Sequence, residues 1–298
     1  MTARTFRRSA ALVSLLVFAA APGAGVARSQ SPDKSIFVTV LDQSGAPVTG
    51  MTADEFALRE GSQGQYTVRE IVSVTQPSMQ PMCVVLLADT TKGAEEYVPD
   101  IRNGFKGFIE QMHKGLPGTE ISLWEFGQAA IRIKDFTADA EAISKDVARI
   151  FPKPNASSVL LEALYEASES LAKRPCQRRA IVALNLEPSD ETSRQEPQKV
   201  TQSMVKSRAH LFVLSVQKGG LKNPQRDVVF TNLVRNGGGL REFIVAESAI
   251  ETQLRRFASA LTSQYEITYK RPSGKPQIVQ TGSTRPNIRL IAGIIAPQ

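Results

Sequence analysis

The sequence predicts an α/β protein with a doubly wound, mostly parallel sheet and a small β domain formed by the two ends of the chain. Between residues 82 and 263, apolar runs alternate with helical patterns, which is the order that places helices on both faces of a parallel sheet. Several of these runs are apolar throughout, as in strands buried on both faces. Before and after this unit only short β runs remain.

Residues 1–27 have the layout of a secretory signal peptide. Arg4, Arg7 and Arg8 precede a short apolar run over 10–21, and small residues end the segment at Gly25-Val26-Ala27. The run is too short for a membrane span, which needs about 20 residues. Removing these 27 residues with their three arginines from 298 residues at +7 leaves 271 residues at +4. We therefore expect an exported protein, periplasmic or secreted, with no membrane span in its mature chain.

The N-terminal β segment covers residues 28–81. Residues 35–41 (SIFVTVL) form a short β run, and residues 42–45 (DQSG) are typical of a turn. Residues 66–74 (YTVREIVSV) alternate as one further strand, and residues 75–81, which contain two prolines, predict a linker. This segment is too short to bury a core by itself.

The α/β unit covers residues 82–263. Its predicted strands are 82–88, 120–126, 130–134, 180–186, 210–216 and 242–246. Its predicted helices are 99–115, 138–150, 158–173, 197–207, 227–235 and a last helix from about 248 to 263. Ser248 and Glu251 predict a capping box for the last helix.

The C-terminal β segment covers residues 264–298. Its β runs are 265–270, 277–281 and 287–291. Because neither end of the chain is long enough for a core of its own, we expect the two ends to pair into one small β domain.

Composition excludes several classes of protein. Two cysteines are too few for a disulfide scaffold or a four-cysteine zinc site, and two histidines do not favour a histidine-rich metal centre. The +4 that remains without the leader is too mild to indicate nucleic-acid binding. The sequence also lacks the phosphate-binding loop G-x-x-x-x-G-K-[ST] and the nucleophile elbow G-x-S-x-G.

Asp89 ends the first buried strand, where an open α/β sheet places its ligands. This position resembles the nucleophile of haloacid-dehalogenase phosphatases, but their second acid falls on Thr91. We therefore expect no enzymatic activity, and a hydrolase or phosphatase using Asp89 stays the alternative.

The segments VVLLADTTKG, LWEFG with IRIKDFT, SSVLLEALYEA, RRAIVALN, HLFVLSV and NGGGLREFIV resemble, in order, the von Willebrand factor A domain. The flanking segments resemble those of secreted bacterial von Willebrand A-related proteins. The resemblance implies one antiparallel edge strand, formed by IRIKDFT. It also implies a metal-ion-dependent adhesion site after the first strand.

The family's metal ligands carry over only in part. Its first Asp falls on Asp89, its first Ser on Thr91 and its Thr on Ser158, but its second Ser falls on Gly93 and its last Asp on Leu186. One carboxylate and two hydroxyls are a poor set for Mg²⁺, which prefers near-octahedral oxygen ligation. We expect a degenerate site and no obligatory cofactor.

Two alternatives stay open at this site. Glu187 or Asp190, just beyond Leu186, would supply a second carboxylate and restore weak Mg²⁺ binding. Without metal, Asp89 would be a turn acid that binds nearby amides, and Ser158 would be a helix N-cap.

The resemblance also gives the cysteines a role. In the family's strand order the first and fourth strands are parallel neighbours, so Cys83 and Cys176 would lie at one end of the sheet. We expect either a Cys83–Cys176 disulfide, which export would permit, or two buried thiols.

The resemblance as a whole implies an adhesion or assembly module that binds another protein or an envelope or matrix component. We expect Lys92, Glu187 and the polar loop 189–195 to lie on the rim of its binding face. A metal-dependent adhesion protein with a non-standard site is a further alternative.

Overall fold

A computed structural model of the chain describes residues 33–62, 64–187, 190–217, 223–271 and 273–297. The predicted signal peptide and Ser189 of the polar loop lie outside the described residues. Within these ranges, every helix is too short or too polar to cross a membrane.

The strands are β1 (Lys34–Asp42), β2 (Phe56–Ser62), β3 (Gln65–Val68), β4 (Ile71–Thr75), β5 (Met82–Asp89), β6 (Glu120–Phe126), β7 (Ala130–Thr137), β8 (Arg178–Glu187), β9 (His210–Gln217), β10 (Leu240–Ile244), β11 (Tyr265–Tyr269), β12 (Ile278–Ser283) and β13 (Ile288–Ala292). The helices are α1 (Val98–Gly115), α2 (Ala140–Asp146), α3 (Leu160–Ala172), α4 (Pro197–Ser207), α5 (Pro224–Gly237) and α6 (Ile250–Thr262).

The central sheet has six strands in the order β10-β9-β8-β5-β6-β7. Strand β7 runs antiparallel to β6 at one edge, and all other neighbours are parallel. This confirms the doubly wound, mostly parallel sheet with one antiparallel edge strand. The order reverses at β5, because β6 lies on one side of it and β8 on the other.

Helices cover both faces of this sheet. Every side chain of β5 is buried, and successive side chains point to opposite faces. Val84 and Leu86 pack with residues of α1 and α6, whereas Val85 and Leu87 pack with residues of α3, α4 and α5. The continuous apolar run of β5 therefore results from burial on both faces.

The two ends of the chain pair with each other, which is the arrangement that the sequence predicts. Strand β1 pairs with β11 and β13, and β2 pairs with β12. The strands form two sheets, β13-β1-β11-β4 and β12-β2-β3, around a shared apolar cluster that includes Val38, Leu58 and Tyr265.

Three local predictions were wrong. Strand β2 was not predicted, and the single strand expected over 66–74 is divided into β3 and β4 because these pair in different sheets, β3 with β2 and β4 with β11. The capping box expected from Ser248 and Glu251 is absent: a 3₁₀ turn, Glu247–Ala249, leads into α6, whose N-cap is Ala249.

Candidate functional site

The candidate site lies at the carboxyl ends of β5 and β8, where the strand order reverses. Ala88 pairs with Leu184, so the next residues, Asp89 and Asn185, are neighbours across the sheet, and Asn185 pairs in turn with Ser215 of β9. The alternation of side chains places this polar row on the face covered by α3, α4 and α5. Ligands of open α/β sheets bind at such a reversal.

Asp89 is fully buried and its carboxylate is bonded to its own chain. Oδ1 accepts hydrogen bonds from Thr91 N (2.9 Å) and Thr91 Oγ1 (2.5 Å), and Oδ2 accepts one from Leu186 N (3.0 Å). Burial raises the pKa of Asp89, against the lowering effects of the Arg226 charge and of these hydrogen bonds. Asp89 thus binds nearby amides, as a turn acid does.

Arg226, which the sequence analysis did not single out, supplies a positive charge to this end of the sheet. It lies in the first turn of α5 with no exposed surface. Its Nε donates to Glu191 Oε2 at 2.6 Å, with both side chains fully buried, and its Nη1 donates to Asn185 Oδ1 at 2.7 Å. Its Nη2 has no hydrogen-bond partner among the described residues. The guanidinium therefore joins α5 to β8 and to the loop that follows β8.

Glu191 connects the same network to α3. Its Oε1 accepts a hydrogen bond from Ser193 N (3.2 Å) and lies 3.5 Å from Leu161 N in the first turn of that helix. A carboxylate near a helix N-terminus is favoured by the exposed N–H groups there. Arg226 and Glu191 therefore hold together the three segments that surround the site.

Ser158 is buried beside the same loop, but it is not a helix N-cap. Its backbone N donates to Asp190 O (2.9 Å) and its carbonyl accepts from Thr192 N (2.7 Å). Its hydroxyl has no hydrogen-bond partner among the described residues, and the N-cap of α3 is Val159. The N-cap prediction for Ser158 was therefore wrong.

Gly93 and Leu186 offer no side-chain ligand. Gly93 has φ 99°, in the left-handed region that favours glycine, and begins a short 3₁₀ turn. The Leu186 side chain packs in the cluster on the α1 and α6 face of the sheet, opposite the polar row, and only its backbone N–H reaches Asp89.

The two acids beyond Leu186 differ in their surroundings. Glu187 is 4% exposed, and its Oε1 accepts from Asn185 Nδ2 at 2.8 Å, while its Oε2 has no partner among the described residues. Asp190 is exposed. Glu187 is thus turned toward Asn185, which also binds Arg226.

At the positions that the resemblance assigns to a metal-ion-dependent adhesion site, the side chains with an oxygen ligand are those of Asp89, Thr91 and Ser158. Of the family's five ligand side chains, this chain keeps one of the two carboxylates and two of the three hydroxyls, whereas Mg²⁺ prefers near-octahedral coordination by oxygen. The buried charge of Arg226, close enough to lower the pKa of Asp89, would also repel a divalent cation.

The other end of the sheet carries the cysteines. The structure joins Cys83 and Cys176 by a disulfide, with 5.8 Å between the Cα atoms, inside the range that disulfides allow. The bond ties the start of β5 to the segment that precedes β8.

The strand order decides the fold. The central strand of the sheet is the first strand of the α/β unit, its fourth strand is a parallel neighbour, and its third strand is the antiparallel edge. The chain has the von Willebrand A fold. Neither a family model nor a curated protein matches the chain.

Solved structures similar to this von Willebrand A fold come from distant proteins. A von Willebrand factor type A protein from Catenulispora acidiphila is 11% identical over 89% of this chain and 74% of its own, with a TM-score of 0.48. BatB from Bacteroides thetaiotaomicron is 14% identical over 61% and 100%, with a TM-score of 0.46. Proximal thread matrix protein 1 from the mussel byssus is 10% identical over 72% and 50%, with a TM-score of 0.50. At these identities the likeness concerns the fold alone.

Proposed function

We propose that the chain is an exported protein-binding module of von Willebrand A type that acts in adhesion or assembly without an obligatory metal. A solved structure of similar fold, proximal thread matrix protein 1 from the mussel byssus, is by its name a component of a matrix, which supports an adhesion or assembly module in general. The partner is another protein or a component of the envelope or matrix. The leader over residues 1–27 supports export to the periplasm or the medium.

One observation carries the metal-free part of the proposal. The guanidinium of Arg226 already supplies a buried positive charge among Asp89, Asn185 and Glu191. In the family, a partner acid completes the coordination of the metal. Here the loops at the carboxyl ends of β5 and β8 are held by internal bonds, so their shape does not depend on an ion.

Catalysis is not part of the proposal. A nucleophilic Asp89 would need an accessible oxygen, but the side chain is fully buried and both oxygens accept hydrogen bonds. Turnover of a generic phosphate ester by the purified chain, lost in Asp89→Ala, would favour the hydrolase instead.

Affinity capture from the native envelope tests the binding face. Lys92 is exposed beside Thr91, and Lys106 on α1 is an exposed lysine away from this loop. We expect Lys92→Glu to lose the captured partner and Lys106→Glu, with the same change of charge, to retain it. We also expect equal capture in Mg²⁺ and in EDTA.

Loss of the partner in EDTA would contradict metal independence. Equal capture by the two lysine variants would contradict the assignment of the face.

A further inference from the structure

A half-open cleft of about 670 Å³ lies at the end of the sheet opposite Asp89. It is lined by the starts of β1, β8 and β9, the segment before β8, the ends of α4 and α5, and residues 293–295 and 297. Its volume is within the range of small-molecule sites, roughly 300–1,000 Å³. It shares no residue with the proposed binding face.

The walls of the cleft are fixed by bonds within the chain. Cys176 lines it and is held by the disulfide to Cys83. The C-terminal wall is held by Ile294 N, which donates to Asn236 O, and by Ala296 N, which donates to Gln277 O, both at 2.9 Å. The cleft is therefore formed before any ligand enters.

The lining combines apolar surface with positive charge. Two of its apolar residues, Val205 and Ile295, are 49% and 41% exposed. Among the described residues that line it, Asp33 is the one with a carboxylate, against Lys34, Arg179 and Arg208. The apolar lining includes Phe37, Met204, Val205, Leu233, Ile294 and Ile295.

The two arginines are held differently. Arg179 Nη1 donates to Ser207 O (2.9 Å) and Nη2 to Arg174 O (2.7 Å), so its charge is fixed at the end of α4. Arg208 is exposed, and within the described part of the chain its guanidinium makes no hydrogen bond or ion pair. Burial, and then the charge of Arg208, lower the pKa of Arg179, so the two charges are close enough to repel each other.

The backbone at Arg208 adds an independent observation. This residue ends α4 with φ 56° and ψ 28°, in the left-handed region that glycine occupies most easily. A residue with a Cβ is strained there, because the Cβ lies too close to the following carbonyl oxygen. An arginine in a strained position that lines a cleft and lacks a partner is a candidate for ligand binding.

The C-terminal ends of α4 and α5 disfavour an anion in the cleft, because helix C-termini carry partial negative charge and these two point toward it. Arg179 already binds the last carbonyl of α4, at Ser207, which offsets this effect. Arg208 then remains available to a ligand, with Lys34 as a second cation of the lining.

We propose that the cleft binds a small organic anion with an apolar body, whose acid group lies between Arg208 and Arg179 and whose body packs against Met204, Val205 and Ile295. A monocarboxylate with a medium-length alkyl chain has this chemistry. The site is separate from the proposed protein-binding face and does not depend on it.

Titration calorimetry of the exported chain with decanoate, and with decan-1-ol as the uncharged match, tests the proposal. We expect saturable, one-to-one binding of decanoate, with at least tenfold weaker binding of the alcohol. Absence of saturable decanoate binding, or equal affinity for the two compounds, would overturn the proposal.

Variants locate the site. A charge-assisted hydrogen bond contributes about tenfold or more to affinity, so Arg208→Gln should weaken decanoate binding at least tenfold. Arg59→Gln, at an exposed arginine outside the cleft, should leave it unchanged. Arg208→Gly should also lose binding while its Tm stays at or above that of the wild type, because glycine relieves the left-handed strain. Decanoate binding unchanged in either Arg208 variant would overturn the assignment.

Discussion

Arg226 is the residue on which the order of the candidate site depends. Its guanidinium bonds to Asn185 and Glu191, with all three side chains buried, and its charge is close enough to Asp89 to lower the pKa of that carboxyl. A buried ion pair does not by itself stabilise a protein more than apolar residues would, but it becomes costly when one partner is removed. The pair therefore fixes one arrangement of the loops around the site.

Arg226→Ala should lower the free energy of unfolding by about 3–5 kcal/mol, because it leaves the Glu191 carboxylate buried without a partner. Urea unfolding measures the loss. Arg255→Ala, which removes a surface arginine paired with Glu110 and Glu251, is the matched control and should cost about 1 kcal/mol or less. Equal losses in the two variants would contradict a special role for the buried pair.

His210 makes stability depend on pH. Burial, and then the charge of Arg178, lower the pKa of His210 to about 4. The unfolded histidine, with a pKa of about 6.5, binds a proton between these values while the folded one does not. The free energy of unfolding should therefore fall as the pH drops from 6.5 to 4, by about 2–3 kcal/mol from this residue.

His210→Gln removes this titration. Urea unfolding at several pH values should show that, between pH 6.5 and 4, the free energy of unfolding falls less steeply in the variant than in the wild type. An identical slope in both proteins would mean that His210 is not the group responsible.

Part of the site could be predicted from single residues. The end of an apolar strand indicated Asp89, and the resemblance indicated Thr91 and Ser158. Arg226 was missed because α5 was expected to begin at Asp227. The helix begins at Pro224 instead, which places Arg226 three, four and seven residues before Val229, Phe230 and Leu233 on the buried stripe. An arginine on such a stripe indicates a buried ion pair. Its partner, Glu191, lies in a loop, where the spacing of residues in the sequence does not predict which side chains are buried.

At the scale of elements, the disulfide connects two regions that are 93 residues apart in sequence. Closing a loop of that length restricts the unfolded chain and contributes about 4–5 kcal/mol in the chain-entropy model. The bond joins the start of β5, the first strand of the α/β unit, to the segment just before its parallel neighbour β8.

The exported chain should show no reactive thiol in denaturant without reductant, and two after reduction. Reduction should also lower the Tm. Two reactive thiols in the unreduced protein would contradict the bond.

The order of elements in the α/β unit was predictable because burial on both faces gives continuous apolar runs. The flanking β segments were harder to predict, since their short strands are defined by partners distant in sequence. β2 pairs with β12, more than 200 residues later, and its alternation of buried and exposed residues is interrupted by the adjacent buried pair Glu60 and Gly61. Glu60 is buried because it pairs with Arg271, a contact that no local pattern shows.

At the scale of the whole molecule, three arginines of the basic balance lie in the predicted leader, residues 1–27. If export removes residues 1–27, the mature chain begins at Arg28 and carries a formal charge of +4. N-terminal sequencing of the protein recovered from the periplasm or medium should find Arg28 first. Recovery of the uncleaved chain from the cytoplasm alone would contradict export.

The whole molecule is proposed to present two separate sites, a protein-binding face at the carboxyl ends of β5 and β8 and an anion-binding cleft at the opposite end. Arg226 and Glu191 hold the first, and the disulfide holds a wall of the second. The central claim is that the first site is ordered by its own arginine and not by a metal.

Titration calorimetry of the exported chain with Mn²⁺ and Mg²⁺ tests this claim most directly. The account predicts no saturable heat for either ion in the wild type and none in Asp89→Ala. Stoichiometric binding in the micromolar range by the wild type, lost in Asp89→Ala, would show a functional metal site and contradict the account.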